Sequence, residues 1–308
     1  MKYYPVAIPT LCRFEHFKRC VESLAKNTHA ENTELIIGLD YPTKEEHWEG
    51  YNKISSYIPN ISGFKKITLF KREYNYGAEA NSIDLANYAF SKYDAYIYTE
   101  DDNEFSPCFL DFMNKALEKY KDEKRVVSIC GFLPTQYYNL SENLIFKKGT
   151  SAYGVGLWKH KEELYSFIPY SNWENIFQNR KRSLNIFLTC PGLYQMFEVM
   201  ITNKYKWDDV MRSCYQIENN LFQISPYKSM VRNWGNDGTG LHSSNDNGIL
   251  AKQEILSNFT FNLQDQEIKN SIPVLIHFFD LFPKSLINRI KNLILILIKF
   301  IAHFIKLC

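Results

Sequence analysis

Three consecutive carboxylates, Glu100, Asp101 and Asp102, directly follow the apolar run Tyr96-Ile-Tyr-Thr. Like charges this close repel one another, and a hard divalent cation that accepts oxygen ligands would neutralise them, with substrate phosphates completing its coordination shell. Such a cation also stabilises a diphosphate group as it leaves a sugar. The alternative is a solvated acidic turn. The position of the triplet, after an apolar run and before an apolar-rich helical pattern, favours a metal site.

A second acidic pair, Asp208 and Asp209, follows Trp207 and opens a helical pattern that extends to residue 220. A sugar hydroxyl is a poor nucleophile and must lose its proton as it attacks. A carboxylate at a helix N-terminus is oriented by backbone N–H groups and can accept that proton. One aspartate could be the base while the other caps the helix, or both could be caps. The pattern alone does not distinguish these roles.

Two glycines, Gly154 and Gly156, lie in the segment 151–158, just before a short predicted helix. Glycine lets a backbone approach a ligand closely, so both are candidates for a loop beside a bound sugar. A plain turn before the helix is the alternative. The spacing fits no dinucleotide-binding fingerprint, and the chain has no P-loop Gly-Lys-Ser/Thr, which disfavours dehydrogenases and P-loop kinases.

The elements that must position these residues alternate between strand and helix patterns over the first 130 residues. Strands are predicted at 6–8, 35–39, 67–70, 95–98 and 126–129, and helices at 14–26, at 78–90 and from Pro107 onward. This alternation predicts an α/β fold with a mostly parallel sheet covered by helices on both faces. Ligands of such sheets bind at the carboxyl ends of strands. Residues 10–13, Asp40 and residues 100–102 all follow predicted strand ends.

Residues 96–112 resemble the metal-binding segment of GT-A glycosyltransferases, and are particularly similar to that of animal N-acetylglucosaminyltransferase I and bacterial polysaccharide glycosyltransferases. The resemblance implies a GT-A fold, with a Rossmann-like nucleotide-binding sheet. It also implies that Asp102, the last residue of this DXD-type motif, ligates Mn²⁺ or Mg²⁺. Glu100 and Asp101 would then face the nucleotide ribose and the donor sugar.

Further segments match the same family in order, so that the resemblance spans residues 5–245. It implies that Thr10 and Arg13 meet the nucleotide or its diphosphate, that Asp40 meets the base, and that Asn81 helps to shape the nucleotide pocket. The Trp207-Asp-Asp segment matches the acceptor-side motif that carries the catalytic base, a match that favours Asp208 over Asp209 by a small margin. His242 matches a histidine near the metal and diphosphate, although a lone histidine in a polar loop is more often solvated.

The composition is that of an ordinary globular protein of 308 residues, and its net charge of +2 gives no reason to expect nucleic acid as a partner. Seven cysteines without C-x-x-C spacing argue against a disulfide framework and a zinc site, and favour a reducing compartment. No signal peptide is recognisable at the N-terminus, which favours a cytoplasmic location.

Residues 286–307 form a different pattern, in which lysines fall on one side of a helical wheel and Leu, Ile and Phe on the other. A basic amphipathic helix lying in an anionic membrane surface fits this pattern, and a helix packed on its own domain is the alternative. We therefore expect a catalytic domain over residues 1–265 and a helical, membrane-associating tail over residues 266–308, peripheral on the inner face of the cell membrane.

The sequence thus predicts a metal-dependent, inverting glycosyltransferase. It would move a hexosyl or N-acetylhexosaminyl group from a nucleotide sugar, UDP-linked, to a saccharide or lipid-linked acceptor. Two alternatives remain. A nucleotidyltransferase shares the acidic metal site but normally carries a Gly-rich, basic loop after its first strand, which Pro9-Thr-Leu-Cys-Arg is not. A catalytically degenerate saccharide-binding module would not need the acidic triplet and the Trp-Asp-Asp segment.

Overall fold

The computed structural model of the chain describes residues 2–133, 144–238, 249–257, 267–269, 294–295, 297–302 and 305. His242 and most of the predicted tail lie outside these residues.

Ten strands form two sheets in the described part of the chain. They are β1 (Val6–Thr10), β2 (Glu34–Leu39), β3 (Lys66–Lys71), β4 (Ala95–Tyr98), β5 (Asn103–Phe105), β6 (Val126–Cys130), β7 (Leu144–Lys147), β8 (Val155–Trp158), β9 (Phe222–Pro226) and β10 (Val231–Asn233). The large sheet has the order β3-β2-β1-β4-β8-β6-β9-β7, and β5 pairs with β10 in a separate two-stranded sheet.

The first half of the large sheet is parallel. β2 pairs with β3 and with β1, and β1 pairs with β4, all in parallel register. β8 is antiparallel to both of its neighbours, β4 and β6, and β7 is an antiparallel edge strand on β9. The carboxyl ends of β1, β2 and β4 therefore meet at one edge of the sheet, where Thr10 lies opposite Leu39.

The α-helices of the described residues begin and end as follows: α1 (Phe14–Ala25), α2 (His47–Tyr57), α3 (Gly77–Lys92), α4 (Phe109–Lys119), α5 (Lys159–Ser166), α6 (Tyr170–Gln178), α7 (Arg180–Thr189), α8 (Pro191–Thr202), α9 (Asp208–Glu218) and α10 (Ile249–Lys252).

Helices cover both faces of the sheet, as the strand alternation requires. Val6 and Ile8 of β1 join a core cluster with buried residues of α1, α2 and α4. Ala7, between them, points to the opposite face and packs with Leu85 and Ala89 of α3. Successive side chains of a strand point to opposite faces, so a strand buried on both sides must be apolar throughout. The predicted α/β class with helices on both faces is confirmed.

A second core cluster lies among α6, α7, α8 and α9. Sequence analysis identified only α9 of these four helices. Residues 297–302 are helical, and Phe300 is buried in this cluster, where its ring stacks on Phe187 of α7 with centroids 4.2 Å apart. The side chains of Leu297 and Ile301, in contrast, are 42% and 49% exposed. The tail thus contacts its own domain through Phe300 while part of its apolar surface faces outward.

No helix among the described residues combines the length and the apolar character that crossing a bilayer requires.

Candidate active site

The acidic triplet lies in the turn between β4 and β5, at the sheet edge where β1 and β2 also end. β10 fixes this turn, because Asn233 pairs with Asn103 in the two-stranded sheet and donates from Nδ2 to Asp102 Oδ1 at 2.8 Å. The backbone N–H of Trp234 donates to the carbonyl oxygen of Asp102 at 2.9 Å. Asp102 is therefore held on both its main chain and its side chain.

Arg13, in the loop between β1 and α1, lies against the same turn. Its Nη2 contacts Asp101 Oδ1 and is 2.9 Å from Asp102 Oδ2. Thr10 donates to the other oxygen of Asp101 at 2.7 Å. Burial opposes the charge of the guanidinium, but the two carboxylates outweigh it and raise the pKa of Arg13. The residues predicted at the ends of β1 and β4 are thus in direct contact.

The negative charge of the triplet exceeds what one arginine neutralises. Burial, reinforced by the charges of Asp102 and Asp101, raises the pKa of Glu100 to about 8. Burial also raises the pKa of Asp101, although Arg13 and Thr10 act in the opposite direction. A cation bound here would relieve this repulsion.

The oxygen donors of this site suit a hard divalent cation, and one of them lies against the backbone of Gly235. A Cβ atom at Gly235 would lie only 2.2 Å from Asp102 Oδ2, so the carboxylate can take this position only because residue 235 has no side chain. Among the described residues, no group of three His, Cys, Asp or Glu side chains is arranged to hold a metal ion. Asp102 fits a cation that takes its other ligands from substrate phosphates and water, as Mg²⁺ commonly does.

Asp40 lies at the same sheet edge, at the end of β2, and its carboxylate binds the backbone. Oδ1 accepts from the N–H groups of Tyr41 and Tyr76 at 2.9 and 2.8 Å, and Oδ2 accepts from Gly77 at 2.9 Å. The side-chain amide of Asn75 adds a contact to Oδ2 at 3.3 Å. Asp40 therefore anchors the N-terminus of α3 next to the acidic turn.

Asn81 is a buried residue of α3, the helix whose N-terminus Asp40 binds. Its Nδ2 donates to the carbonyl of Gly38 at 2.9 Å and its Oδ1 accepts from Arg72 Nε at 3.0 Å. A Cβ at residue 38 would lie 2.5 Å from that Oδ1, which explains the glycine inside β2. The guanidinium of Arg72 stacks over the ring of Tyr76, 4.4 Å from its centroid. Sequence analysis missed Arg72, which no local motif marks.

Gly154 and Gly156 face the core. A Cβ at Gly154 would lie 3.0 Å from the rings of Phe105 and Phe109, and one at Gly156 would lie 2.9 Å from Met113 and Leu117 of α4. Gly154 also has φ of +72°, which side chains disfavour. Close packing therefore explains both glycines, and the space beside them is filled by apolar side chains.

The N-terminus of α9 carries the second acidic pair, and its two aspartates have different surroundings. Asp208 accepts from the hydroxyl of Tyr165 at 3.0 Å and pairs with Arg212 Nε at 2.5 Å. Arg212 in turn forms a bidentate pair with Glu162, with both distances 2.7 Å. Sequence analysis missed this network, because its members are dispersed along the chain.

Asp209 lies near the acidic triplet. Its negative charge is among the causes that raise the pKa of Glu100, after burial and the charges of Asp102 and Asp101. Its Oδ1 accepts from the N–H of Val210 at 2.9 Å. The structure thus brings residues 10–13, Asp40 and residues 100–102 together at one edge of the sheet, and the start of α9 is linked to them through the charge of Asp209 on Glu100.

No family model and no curated protein matches the chain. Among solved structures, the chain is similar to a mannosyltransferase from Pyrobaculum calidifontis in complex with GDP-Man and Mn²⁺, with 13% identity, a TM-score of 0.40 and coverage of 54% of this chain and 47% of that one. It is also similar to residues 1–349 of S. aureus TarS in complex with UDP-GlcNAc, with 13% identity, a TM-score of 0.32 and coverage of 42% and 34%. A third similar structure is mouse xyloside xylosyltransferase 1 in its apo form, with 8% identity, a TM-score of 0.39 and coverage of 72% and 84%.

The chain spans less than half the length of the mannosyltransferase and TarS chains that it matches. At these identities and TM-scores, an assignment of activity has to rest on the residues of the site.

Proposed function

We propose that the protein is a GT-A glycosyltransferase that moves a sugar from a nucleotide-sugar donor, UDP-linked, to a saccharide or lipid-linked acceptor. One observation carries this proposal: the acidic triplet, the Thr10–Arg13 loop and Asp40 meet at the carboxyl edge of a parallel β3-β2-β1-β4 sheet. This edge is where α/β sheets bind nucleotides.

The donor diphosphate would lie between Asp102 and the loop that carries Arg13. Asp102 would hold Mn²⁺ or Mg²⁺, and the bound cation would stabilise the negative charge that develops on the leaving diphosphate. Thr10 and Asn233 would keep the two aspartates of the turn in position, since each donates a hydrogen bond to one of them. Asp40 would shape the nucleotide pocket by fixing the N-terminus of α3.

Asp209 would be the general base. Its carboxylate would accept the proton of the acceptor hydroxyl while that oxygen attacks the anomeric carbon, and the bond to the diphosphate oxygen would break with its electron pair leaving on the diphosphate. Attack opposite the leaving group inverts the anomeric carbon. Asp209 is assigned this role because its charge acts on Glu100 of the acidic triplet, whereas both oxygens of Asp208 are bound by Arg212 and Tyr165. This assignment reverses the small preference for Asp208 that the motif match gave.

The acceptor side would adjoin an anionic membrane surface. Ile294, Leu297, Ile298 and Ile301 are all 42% or more exposed, and Lys299 is also exposed among them. Exposed apolar side chains next to a basic residue fit insertion into the headgroup region of anionic lipids. Such a location would bring the enzyme to lipid-linked saccharide precursors on the cytoplasmic face.

A panel of nucleotide sugars tests the proposal, with binding scored by thermal shift in the presence of Mn²⁺ or of a chelator. One donor should stabilise the protein only with metal, by about 2.7 kcal/mol at a hundredfold excess over its dissociation constant. Asp102→Asn should lose this stabilisation and the transfer reaction while remaining folded.

Two other outcomes would contradict the proposal. Release of pyrophosphate from a nucleoside triphosphate and a sugar phosphate would indicate a nucleotidyltransferase. Saccharide binding with neither transfer nor hydrolysis of any donor would indicate a degenerate binding module.

A further inference from the structure

The guanidinium of Arg13 lies where a cation at the acidic turn would lie. Its positive charge contacts both Asp101 and Asp102, and it reaches them through a single nitrogen, Nη2. Arg13 contacts Asp102 Oδ2, the oxygen that lies against Gly235, whereas Asn233 binds the other oxygen. A divalent cation at Oδ2 and the guanidinium would therefore compete for one position.

The other contacts of the two aspartates do not involve this position. Asp101 Oδ2 is bound by Thr10, and Asp102 Oδ1 is bound by Asn233. The loss of Arg13 would leave both of these hydrogen bonds intact. The side chain of Arg13 is 22% exposed, against 7% and 8% for the two aspartates, so it borders the solvent side of the turn. Arg13 is therefore the least buried of the three, and its movement toward solvent would not break the hydrogen bonds of Thr10 and Asn233.

We propose that Arg13 is an exchangeable counter-ion: it offsets part of the negative charge of Asp101 and Asp102 when the site is empty, and moves onto the donor diphosphate when a divalent cation takes its place. The inference rests on the proposed function and deepens it. A guanidinium binds phosphate oxygens as well as it binds carboxylates, so the exchange leaves Arg13 paired in both states. Arg13 thereby reduces the repulsion at the acidic turn of the free enzyme without a permanently bound metal.

Such an exchange couples the binding of metal and nucleotide. The cation must displace Arg13 before it can bind Asp102, which weakens its binding to the free protein. A diphosphate that accepts Arg13 removes this competition, so each ligand should strengthen the binding of the other, and by the same factor. A nucleoside without phosphates has no anionic oxygen to accept the guanidinium of Arg13, so it should not tighten the binding of the cation in this way.

The test is Mn²⁺ binding to the nucleotide-free protein, followed by the paramagnetic resonance signal of free Mn²⁺ and repeated with UDP or uridine present. The variants are Arg13→Gln, which removes the competing charge, and Arg13→Lys, which keeps a positive charge but lacks the planar guanidinium that binds phosphate through two nitrogens. Lys18→Gln is the matched control, because it removes one positive charge from the exposed face of the adjoining helix α1. Circular dichroism and thermal unfolding in a chelator establish that each variant is folded.

Without nucleotide, Arg13→Gln should bind Mn²⁺ about tenfold or more tightly than the wild type, a typical coupling between two ligands. Arg13→Lys should lie between the two, and Lys18→Gln should match the wild type or differ from it far less. With Mn²⁺ present, Arg13→Gln should bind UDP more weakly than the wild type but should bind uridine equally well. The factor by which UDP tightens Mn²⁺ binding should therefore be smaller in Arg13→Gln.

Two results would overturn the inference, and they differ in what else they overturn. If the wild type binds Mn²⁺ and transfers sugar, but Arg13→Gln binds Mn²⁺ no more tightly than Lys18→Gln does, the exchange is wrong while the glycosyltransferase proposal stands. If neither the wild type nor any variant binds Mn²⁺, with or without UDP, the metal site and the exchange are both wrong.

Discussion

Asp209→Asn and Asp208→Asn, the two single replacements at the start of α9, should differ in their effects: the first should lower turnover, and the second should mainly affect stability. Asparagine has nearly the shape of aspartate but cannot accept and keep a proton near neutral pH. If Asp209 is the base, Asp209→Asn should lower turnover by ~10²–10⁴ while donor binding is unchanged, because proton transfer occurs after the donor is bound. Unfolding temperature should change little, since the side chain is exposed.

Asp208→Asn should instead affect the ion-pair network and leave turnover close to that of the wild type. Asp208 is 61% exposed in its side chain, and its partner Arg212 keeps the bidentate pair with Glu162 at 2.7 Å. The cost in the free energy of unfolding should therefore be under about 1 kcal/mol, as for other largely exposed ion pairs.

The assay is steady-state transfer to a water-soluble acceptor at saturating donor and Mn²⁺, with donor affinity measured separately by thermal shift. If Asp208→Asn loses turnover by the larger factor while Asp209→Asn does not, the base is Asp208, and the argument from its occupied oxygens is wrong. If both variants turn over normally, the base lies outside α9.

Four further results are expected. Burial tends to raise the pKa of Glu34, but four hydrogen bonds to its carboxylate outweigh this and lower the pKa to about 2. The ionised Glu34 should therefore stabilise the protein at pH values above its unfolded pKa of about 4.3, and this contribution should be lost as the pH falls from about 4.3 toward 2. In Glu34→Gln, the unfolding temperature should fall less steeply with decreasing pH over this range than in the wild type. Gly156→Ala should cost about 1–3 kcal/mol in chemical denaturation, because its Cβ meets α4 side chains at 2.9 Å. Gly235→Ala should displace the Asp102 carboxylate and reduce Mn²⁺-dependent donor binding, whereas unchanged binding would argue against Asp102 as the ligand. Ile301→Asp should weaken co-sedimentation of the full chain with anionic vesicles without lowering the unfolding temperature, since this side chain is 49% exposed.

Much of the sheet could be predicted because its strands are short apolar runs that alternate with amphipathic helices. β4 occupies the predicted residues 95–98, and α3 spans Gly77–Lys92 against a predicted 78–90. The predicted and observed boundaries differ by a few residues at the ends of elements, because hydrogen bonding and not hydrophobic periodicity determines where an element begins and ends. Pro107, predicted to open α4, precedes it by two residues.

The helical cluster of α6 to α9 was largely missed for a physical reason. α6, α7 and α8 are short and separated by single residues, Asn179 and Cys190, and they pack chiefly on one another. An isolated helix of this length is marginal in water, so its sequence need not carry strong local helix signals. Tertiary packing around Phe187 and Tyr194 stabilises these segments instead.

Within the candidate site, sequence analysis identified the carboxylates but missed most of what holds them. A carboxylate triplet after a strand is a local pattern, so it can be found from the chain alone. Asn233 and Gly235, which contact Asp102 from β10 and the loop after it, are more than a hundred residues away and carry no signal of their own. Arg13 was expected to contact the nucleotide, and its contact with the aspartates was not foreseen.

Arg13 and Arg212 pair with the two groups of acidic residues that the sequence marked, and the geometry of each pair fits a different role. Arg212 binds both oxygens of Glu162 through two nitrogens and adds Asp208 through a third, so its guanidinium is fixed and orients the start of α9. Arg13 shares one nitrogen between two aspartates. Bidentate pairs are the more specific and the stronger ones. Arg212 is therefore suited to be a permanent support for the start of α9, and Arg13 is suited to exchange its carboxylates for a phosphate.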